Sequence, residues 1–147
     1  MPKIQVKTQT GMQGVYLVAA ELTYREKIVS VTSRNAFGAD LLVTDADCKR
    51  TWSIQVKTNR KPANYWLVGE HAGRVVSSTH IYVFVNLKGN QRPEFYVVPS
   101  EFVGSHIYED TSKAGSKWYS FDRRDLTGTS KGWEIFDLPQ EALLVGQ

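Results

Sequence analysis

Three polar residues of different chemical types are predicted to meet at one end of a hairpin. Residues 35–58 contain two arms rich in Val, Leu, Ile, Thr and Trp, separated by the turn sequence Asp-Ala-Asp-Cys-Lys. If the hairpin is centred in this turn, Asp40 faces Gln55 across the ladder. Because side chains alternate along a strand, Lys57 lies on the same face as Gln55. An acid, an amide and an amine are therefore expected to converge.

This hairpin resembles the active-site hairpin of a known superfamily of nucleases. Gly-x-Asp on one strand and Gln-x-Lys on the next are similar to the motif of the PD-(D/E)XK nucleases, with Gln55 in the place of the usual acid. Residues 14–34 also resemble the helix that precedes the hairpin in Holliday-junction-resolvase-like members. The resemblance implies a restriction-endonuclease-like fold and metal-dependent hydrolysis of DNA. Related nucleases often act as homodimers, because two strands must be cut.

The helix before the hairpin lacks one acid that the resemblance implies. Related nucleases commonly carry a metal-binding Glu at the position that Val15 occupies here. Glu21 is the nearest carboxylate on the helix, and six residues at about 100° each rotate it about 120° away from Val15. Glu21 is therefore a candidate catalytic residue, and a salt-bridge residue near the helix end is the alternative.

The candidate chemistry is phosphodiester hydrolysis with Mg²⁺ or Mn²⁺ as the cofactor. This reaction needs an in-line water, neutralised phosphate charge and a stabilised leaving oxygen, and one or two Mg²⁺ ions can supply all three. Mg²⁺ prefers oxygen ligands. As implied by the resemblance, the candidate ligands are the Asp40 carboxylate, the Gln55 amide oxygen and the main-chain carbonyl of Val56. Lys57 would hold the attacking water or stabilise the pentacovalent phosphate.

A second interpretation of the same residues is structural. Gln55 and Val15 remove two negative charges from the expected cluster, which weakens metal binding. Asp40 would then hydrogen-bond the turn around Gly38, with Lys57 as its salt-bridge partner. The chain would in that case be a catalytically inactive nuclease-fold module that binds DNA or protein. An enzyme of another kind would need a pocket elsewhere with perturbed acids or bases.

Four cations outside the hairpin are candidate contacts to the DNA backbone. Arg60 and Lys61 follow the second arm in a polar loop, and Arg123 and Arg124 follow an aromatic-rich segment. Such cations can hold phosphate groups. A solvated basic loop and aromatic residues that belong to the core are the alternative interpretations.

The composition permits a DNA partner without requiring one. The chain has 147 residues and a formal net charge of +3, with an isoelectric point near 9.0. Its single cysteine, Cys48, excludes an intramolecular disulfide and a cysteine-based zinc site. Neither a signal-peptide pattern nor an apolar run of about 20 residues is found, so we expect a cytoplasmic protein that does not enter the membrane.

The remaining pattern predicts the elements that position the hairpin. Thr10 and Gln13 have the spacing of a capping box, so a helix is predicted over about 11–26. The pentapeptide 4–8 repeats 54–58, which we interpret as coincidence within a short edge strand. Further strands are predicted at 27–33, 65–68, 80–86, 94–99, 118–122 and 133–137, a loop at 88–93, a Ser100-capped helix at 101–108, and a short helix and tail after 138.

These elements predict one domain of the α/β (α+β) class. We expect a mixed, mostly antiparallel central sheet of about five or more strands, flanked by helices. The predicted single domain covers 1–147, with a nuclease-like core over about 10–101 and a C-terminal extension over about 102–147.

Overall fold

The computed structural model describes residues 3–33, 38–74, 77–127 and 132–138. Within these residues the helices and strands follow the predicted order of a helix, a hairpin and further strands. In chain order they are α1 (Lys3–Tyr24), β1 (Ile28–Val31), β2 (Leu41–Thr44), β3 (Thr51–Asn59), β4 (Tyr65–Val68), a 3-10 helix (Glu70–Gly73), β5 (His80–Lys88), β6 (Gln91–Pro99), α2 (Ser100–Ser105), β7 (Ile107–Thr111), β8 (Lys117–Asp122) and two 3-10 helices (Arg123–Leu126 and Trp133–Asp137).

The main sheet has five strands in the order β1-β2-β3-β5-β6. Its neighbouring strands are antiparallel except for β3 and β5, which run parallel. The continuous apolar sequence of β5 is buried along almost its whole length and has a partner on both sides. The predicted fold class, a mixed and mostly antiparallel sheet with helices, is confirmed.

Helix α1 covers one face of this sheet. Val15, Val18 and Leu22 recur at helical spacing and are buried against the sheet. Gly14 permits the close approach, since a Cβ at this position would lie 1.8 Å from the Thr58 hydroxyl oxygen on β3. Among the helices that the structure describes, none combines the length and the apolar composition needed to cross a membrane.

The predicted start of α1 is wrong by eight residues. The helix begins at Lys3, so residues 4–8 are helical and do not form an edge strand. Thr10 does not cap the helix, because its hydroxyl donates to the Val6 carbonyl at 2.9 Å within the helix. A threonine hydroxyl can bond the carbonyl four residues earlier as well as cap a helix start, and the sequence pattern does not separate the two.

A second sheet covers the other face of the main sheet. It has three antiparallel strands in the order β4-β8-β7. Trp66 from β4 and Phe121 from β8 pack with Phe84 of β5 in a separate hydrophobic cluster. Trp66 is therefore held against the main sheet by β4, as predicted, and its indole N–H donates to the Val85 carbonyl at 3.0 Å.

Several predictions after residue 88 are wrong in detail. Lys88 and Gln91 belong to strands joined by a two-residue turn, so the predicted loop is shorter. Helix α2 stops at Ser105, and the Ser100 hydroxyl bonds residue 77 instead of capping it. The next residues form β7, whose pairing with β8 is not visible in the local pattern.

The segment Trp133–Asp137 is a 3-10 helix and not a strand. Ile135 and Phe136 are adjacent in sequence and both are buried in the main core. A strand would direct them to opposite faces. The predicted helix and tail after residue 138 lie outside the described residues, and the division into a core and an extension stays a prediction.

Candidate active site

The hairpin β2–β3 has the predicted register. Leu41 pairs with Ile54 and Val43 pairs with Trp52, and all four side chains are buried. This register fixes the neighbouring polar residues on the opposite face. The turn contains Cys48 at a φ of 60°, a left-handed conformation that lets the chain reverse.

Asp40 ends the first arm and contacts the second arm through its side chain. Gln55 Nε2 donates to Asp40 Oδ2 at 2.8 Å, and the Val56 main-chain N–H donates to the same oxygen at 2.8 Å. The Asp40 backbone N–H donates to the Ile54 carbonyl at 2.7 Å. The predicted meeting of Asp40 with Gln55 is therefore confirmed, and the carboxylate keeps a second oxygen, Oδ1.

Residues before β2 fix the backbone around Asp40. The Thr32 hydroxyl donates to the Ala39 carbonyl at 2.6 Å, and the Thr32 N–H donates to the Asp40 carbonyl at 3.0 Å. Gly38 has a φ of 76°, a conformation that glycine adopts without strain. Thr32, directly after β1, and Gly38 together fix the backbone of Asp40 just before β2 begins.

Lys57 lies two residues beyond Gln55, and both residues line a small cavity of about 190 Å³. Burial lowers the pKa of the Lys57 ammonium, and the negative charge of Asp40 partly opposes this effect. The two charges interact without a hydrogen bond between the side chains. The direct Asp40–Lys57 salt bridge of the structural interpretation is therefore not formed.

A cavity of about 300 Å³ separates the Asp40 carboxylate from the N-terminal half of α1. The helix contributes Gly11, Met12 and Val15 to its wall, and Val15 is only 5% exposed. An apolar side chain thus occupies the position where the resemblance implies an acid. Glu21 lies six residues later, about 9 Å further along the helix.

Glu21 is not brought to Asp40. Its carboxylate contacts Arg25 at 3.2 Å and Arg92 at 3.8 Å. This arrangement matches the salt-bridge interpretation of Glu21. Among the described residues that line the 300 Å³ cavity, Asp40 is the one carboxylate.

The oxygen atoms around Asp40 are candidate ligands for a divalent cation. In the described part of the chain, no group of three or more His, Cys, Asp or Glu side chains is arranged to hold a metal ion. Mg²⁺ is often bound by one or two carboxylates together with substrate phosphate and water. The Asp40 carboxylate, the Gln55 amide oxygen and the Val56 carbonyl fit this kind of site, in which the substrate completes the ligands.

A larger groove runs beside the carboxylate and has a positive lining. It has a volume of about 680 Å³ and lies between α1, the end of β3 and β4. Lys7, Lys57 and Arg60 line it, and no carboxylate is found among its described lining residues. Lys7 was missed by the sequence analysis because residues 4–8 were assigned to a strand. Its spacing to Gly11 on a continuous helix is the signal that could have found it.

The loop that carries Arg60 and Lys61 is held by a buried amide. Asn86 is 1% exposed, and its Nδ2 donates to the Ala63 carbonyl at 2.9 Å while its Oδ1 accepts from Asn59 at 3.1 Å. Arg60 and Lys61 themselves are exposed. The exposed cations are thus carried by an anchored loop.

Arg123 and Arg124 are engaged within the protein. Arg123 donates to the Asn64 side chain at 2.6 Å and to the Tyr96 hydroxyl at 3.2 Å. The Arg124 guanidinium lies 5.0 Å from the centre of the Tyr108 ring. Both arginines fasten the 3-10 helix after β8 to its neighbours, so a contact with DNA would compete with these interactions.

Comparisons with known proteins give one structural match. A scan against protein-family models finds no match, and neither does a search of curated proteins. A search of solved structures finds Hjc of Archaeoglobus fulgidus, a Holliday junction resolvase from an archaeal hyperthermophile. The match has a TM-score of 0.51 and 11% sequence identity, and it covers 84% of this chain and 92% of that chain. This chain therefore shares the fold of Hjc.

Proposed function

We propose that this chain is a metal-dependent DNA endonuclease whose site is formed by Asp40, Gln55, Val56 and Lys57. The observation that carries the proposal is the convergence at the end of the hairpin. Asp40 Oδ2 lies 2.8 Å from both the Gln55 amide and the Val56 N–H, and Lys57 follows on the same face. The fold shared with a Holliday junction resolvase supports the same class of substrate.

Different residues of the site would hold the metal ion and stabilise the negative charge of the reacting phosphate. Mg²⁺ or Mn²⁺, when bound, would supply positive charge beside the phosphate that is attacked. Asp40, the amide oxygen of Gln55 and the carbonyl of Val56 would hold it. The Lys57 ammonium stabilises the negative charge that grows on the phosphate in the transition state.

The positive groove gives the DNA backbone a path to these residues. Lys7, Lys57 and Arg60 all line one groove. Phosphate contacts of this kind fix the position of a strand without reading its sequence. We therefore assign Lys7, Arg60 and Lys61 to backbone contacts and leave Glu21, whose carboxylate contacts arginines, out of the site.

The test is cleavage of supercoiled plasmid and of four-way branched DNA in Mg²⁺ and in Mn²⁺. Asp40→Ala should abolish cleavage, and Lys57→Ala should lower it by about 10²-fold or more. Asp47→Ala is the matched control, because Asp47 is an exposed aspartate in the turn of the same hairpin. Equal cleavage by wild type and Asp40→Ala would overturn the assignment.

A catalytically inactive nuclease-fold module is the second candidate function. It is favoured by the apolar Val15 in the cavity wall and by the two hydrogen bonds that Asp40 Oδ2 already accepts. This candidate predicts DNA binding without cleavage of any substrate in either metal. Wild-type protein that binds branched DNA but never cuts it would establish the inactive module.

A further inference from the structure

A small cavity of about 190 Å³ lies on the sheet face beside the candidate active site. Gln55 and Lys57 of β3 and His80 and Tyr82 of β5 form its polar wall, and the 3-10 helix Glu70–Gly73 closes one side. Gln55 also borders the cavity that contains Asp40. The two cavities are therefore neighbours along one strand.

His80 is a buried histidine with one unsatisfied nitrogen. Its residue is 4% exposed, and the parallel pairing of β3 with β5 sets it opposite Ser53. Nδ1 lies 2.8 Å from the Ser53 hydroxyl oxygen, whereas Nε2 is buried and has no hydrogen-bond partner among the residues that the structure describes. Buried polar atoms in folded proteins almost always have a partner. A group outside the described residues is therefore expected to be the partner of Nε2, and a bound ligand can supply it.

The groups around the cavity favour an anion. Lys57 supplies a positive charge, and no Asp or Glu is among the described residues that line the cavity. Burial raises the pKa of the Tyr82 hydroxyl, which stays protonated and can donate. When the Ser53 hydroxyl donates to Nδ1 of a neutral His80, the ring proton lies on Nε2, which is then a donor as well.

We propose that this cavity binds one phosphate group of the nucleic acid, through Lys57, His80 Nε2 and the Tyr82 hydroxyl. The proposal rests on the proposed nuclease function and adds a second phosphate site to it. A phosphate held here fixes how far the strand advances past Asp40. The phosphate is either a terminal group or an internal phosphodiester, and the same three donors suit both.

The first experiment uses inorganic phosphate and needs neither DNA nor cleavage. The imidazole signals of the wild-type protein are followed by NMR while phosphate is added at constant ionic strength. We expect saturable shifts of the His80 signals, with His106 as the internal control, because its Nδ1 contacts the Phe102 carbonyl at 2.8 Å outside this cavity. Tyr82→Phe, which removes one hydroxyl, should weaken the phosphate titration.

The second experiment separates the two sources of phosphate. Binding is measured for matched oligonucleotides with a 5′-phosphate, a 3′-phosphate or hydroxyl ends, and for a circular single strand. Tighter binding of one phosphorylated end by about tenfold, lost in His80→Phe, identifies a terminal phosphate. If all linear oligonucleotides bind equally, and His80→Phe weakens binding of the circular strand about as much as that of the linear ones, the site holds an internal phosphodiester.

These experiments fail separately from the test of cleavage. His80 signals that do not respond to phosphate in the folded wild-type protein would overturn the phosphate site, even if the protein cuts DNA. A saturable response in a protein that never cuts DNA would retain the phosphate site and reject the nuclease function. The wild-type titration decides the question even if His80→Phe does not fold.

Discussion

Gln55 is the residue whose neutral amide most directly limits a metal site beside Asp40. Gln55→Glu removes the N–H that Asp40 Oδ2 accepts and sets two carboxylates against each other. Without a divalent cation these charges repel, and with a cation both become ligands. We therefore expect a larger rise of melting temperature in Mn²⁺ or Mg²⁺ than for wild type, together with equal or faster cleavage.

The comparison is made by thermal unfolding with and without metal, followed by the plasmid assay. Gln55→Ala serves as the control, since it removes the same hydrogen bond without adding a charge. A variant with Glu at position 55 that shows no metal-dependent stabilisation would contradict the assignment of this position to a metal ligand. Cleavage that is slow or absent in this variant would not by itself contradict the assignment, because the position of Val15 still lacks an acid.

The buried charge of Lys57 is predicted to lower the free energy of unfolding of the protein. Burial lowers its pKa in the folded protein below the ordinary value of 10.5, so desolvation outweighs the attraction of Asp40. Between the folded pKa and 10.5 the unfolded chain binds more protons, and the stability of the wild type rises with pH through this window. Below the folded pKa the destabilisation is present in full.

Lys57→Met should therefore stabilise the protein at pH 7 while abolishing most of its proposed activity. We expect a gain of about 0.5–2 kcal/mol, the range of a single stabilising substitution. The measurement is urea unfolding of both proteins at pH 7 and near pH 10.5, where the gain should shrink. A gain that is the same at both pH values would show that packing, and not the buried charge, is responsible.

The contact of α1 with β3 depends on a single glycine. Gly14→Ala would place a methyl group 1.8 Å from the Thr58 hydroxyl oxygen, so the helix must shift or the threonine must move. We expect a loss of about 1–3 kcal/mol by overpacking. Gly11→Ala is the matched control three residues earlier, where nothing lies within 4 Å, and it should stabilise the helix by up to about 1 kcal/mol. Denaturant unfolding of the two variants checks both signs.

The end of α1 contains a left-handed residue that is not glycine. Glu26 has a φ of 63°, while the Lys27 N–H bonds the Leu22 carbonyl at 3.0 Å and the Glu26 N–H bonds the Thr23 carbonyl at 3.0 Å. This is a Schellman ending, in which glycine is usually found at the left-handed position. Glu26→Gly should therefore be more stable than Glu26→Ala by about 1 kcal/mol.

The alanine variant of Glu26 removes the same carboxylate but keeps the strained conformation. It thus separates the effect of the backbone from that of a negative charge near a helix C-terminus. The two melting temperatures should differ by roughly 2–4 °C. Equal stability of the two variants would mean that the helix end relaxes out of the left-handed conformation.

The register of the β2–β3 hairpin was predictable from its own residues, whereas elements set by ambiguous local signals or by distant strand pairing were not. The β2–β3 register follows from the turn and from alternating side chains, so the meeting of Asp40 with Gln55 could be predicted. The start of α1 could not, because the Thr10 hydroxyl can serve either of two backbone partners. The pairing of β4 with β8 joins segments more than 50 residues apart, and no local pattern specifies it.

The same limit applies to the candidate site. His80 is recognisable only as a histidine at the start of an apolar strand, where packing is the usual role. The pairing with β3 sets it opposite Ser53, so Nδ1 has a partner 27 residues away, whereas Nε2 has none among the described residues. Lys7 likewise needs α1 to extend to its observed start. Site residues contributed by one hairpin were predictable, and those contributed by tertiary packing were not.

The whole molecule combines a modest positive charge with one groove that concentrates it. The formal net charge is +3, whereas Lys7, Lys57 and Arg60 line the groove without a carboxylate among its described lining residues. Arg123 and Arg124 contribute less, because their side chains are engaged with Tyr96, Asn64 and Tyr108. If the proposed function is correct, the field that attracts DNA is therefore expected to arise mainly along this groove.

The last prediction follows from counterion release when DNA occupies the groove. Each phosphate contact contributes about 0.9 to the slope of log affinity against log salt, so three groove cations predict a slope of about −3 for duplex DNA. Lys7→Gln should reduce the slope by about 1, and Lys113→Gln, an exposed lysine in the turn before β8, should leave it unchanged. Both salt slopes are measured by fluorescence anisotropy between about 50 and 200 mM salt, because the affinity changes strongly over this range. Two results would mean that DNA does not enter this groove: binding that does not respond to salt, or equal slopes for the Lys7 and Lys113 variants. Either result would favour a surface that recognises protein.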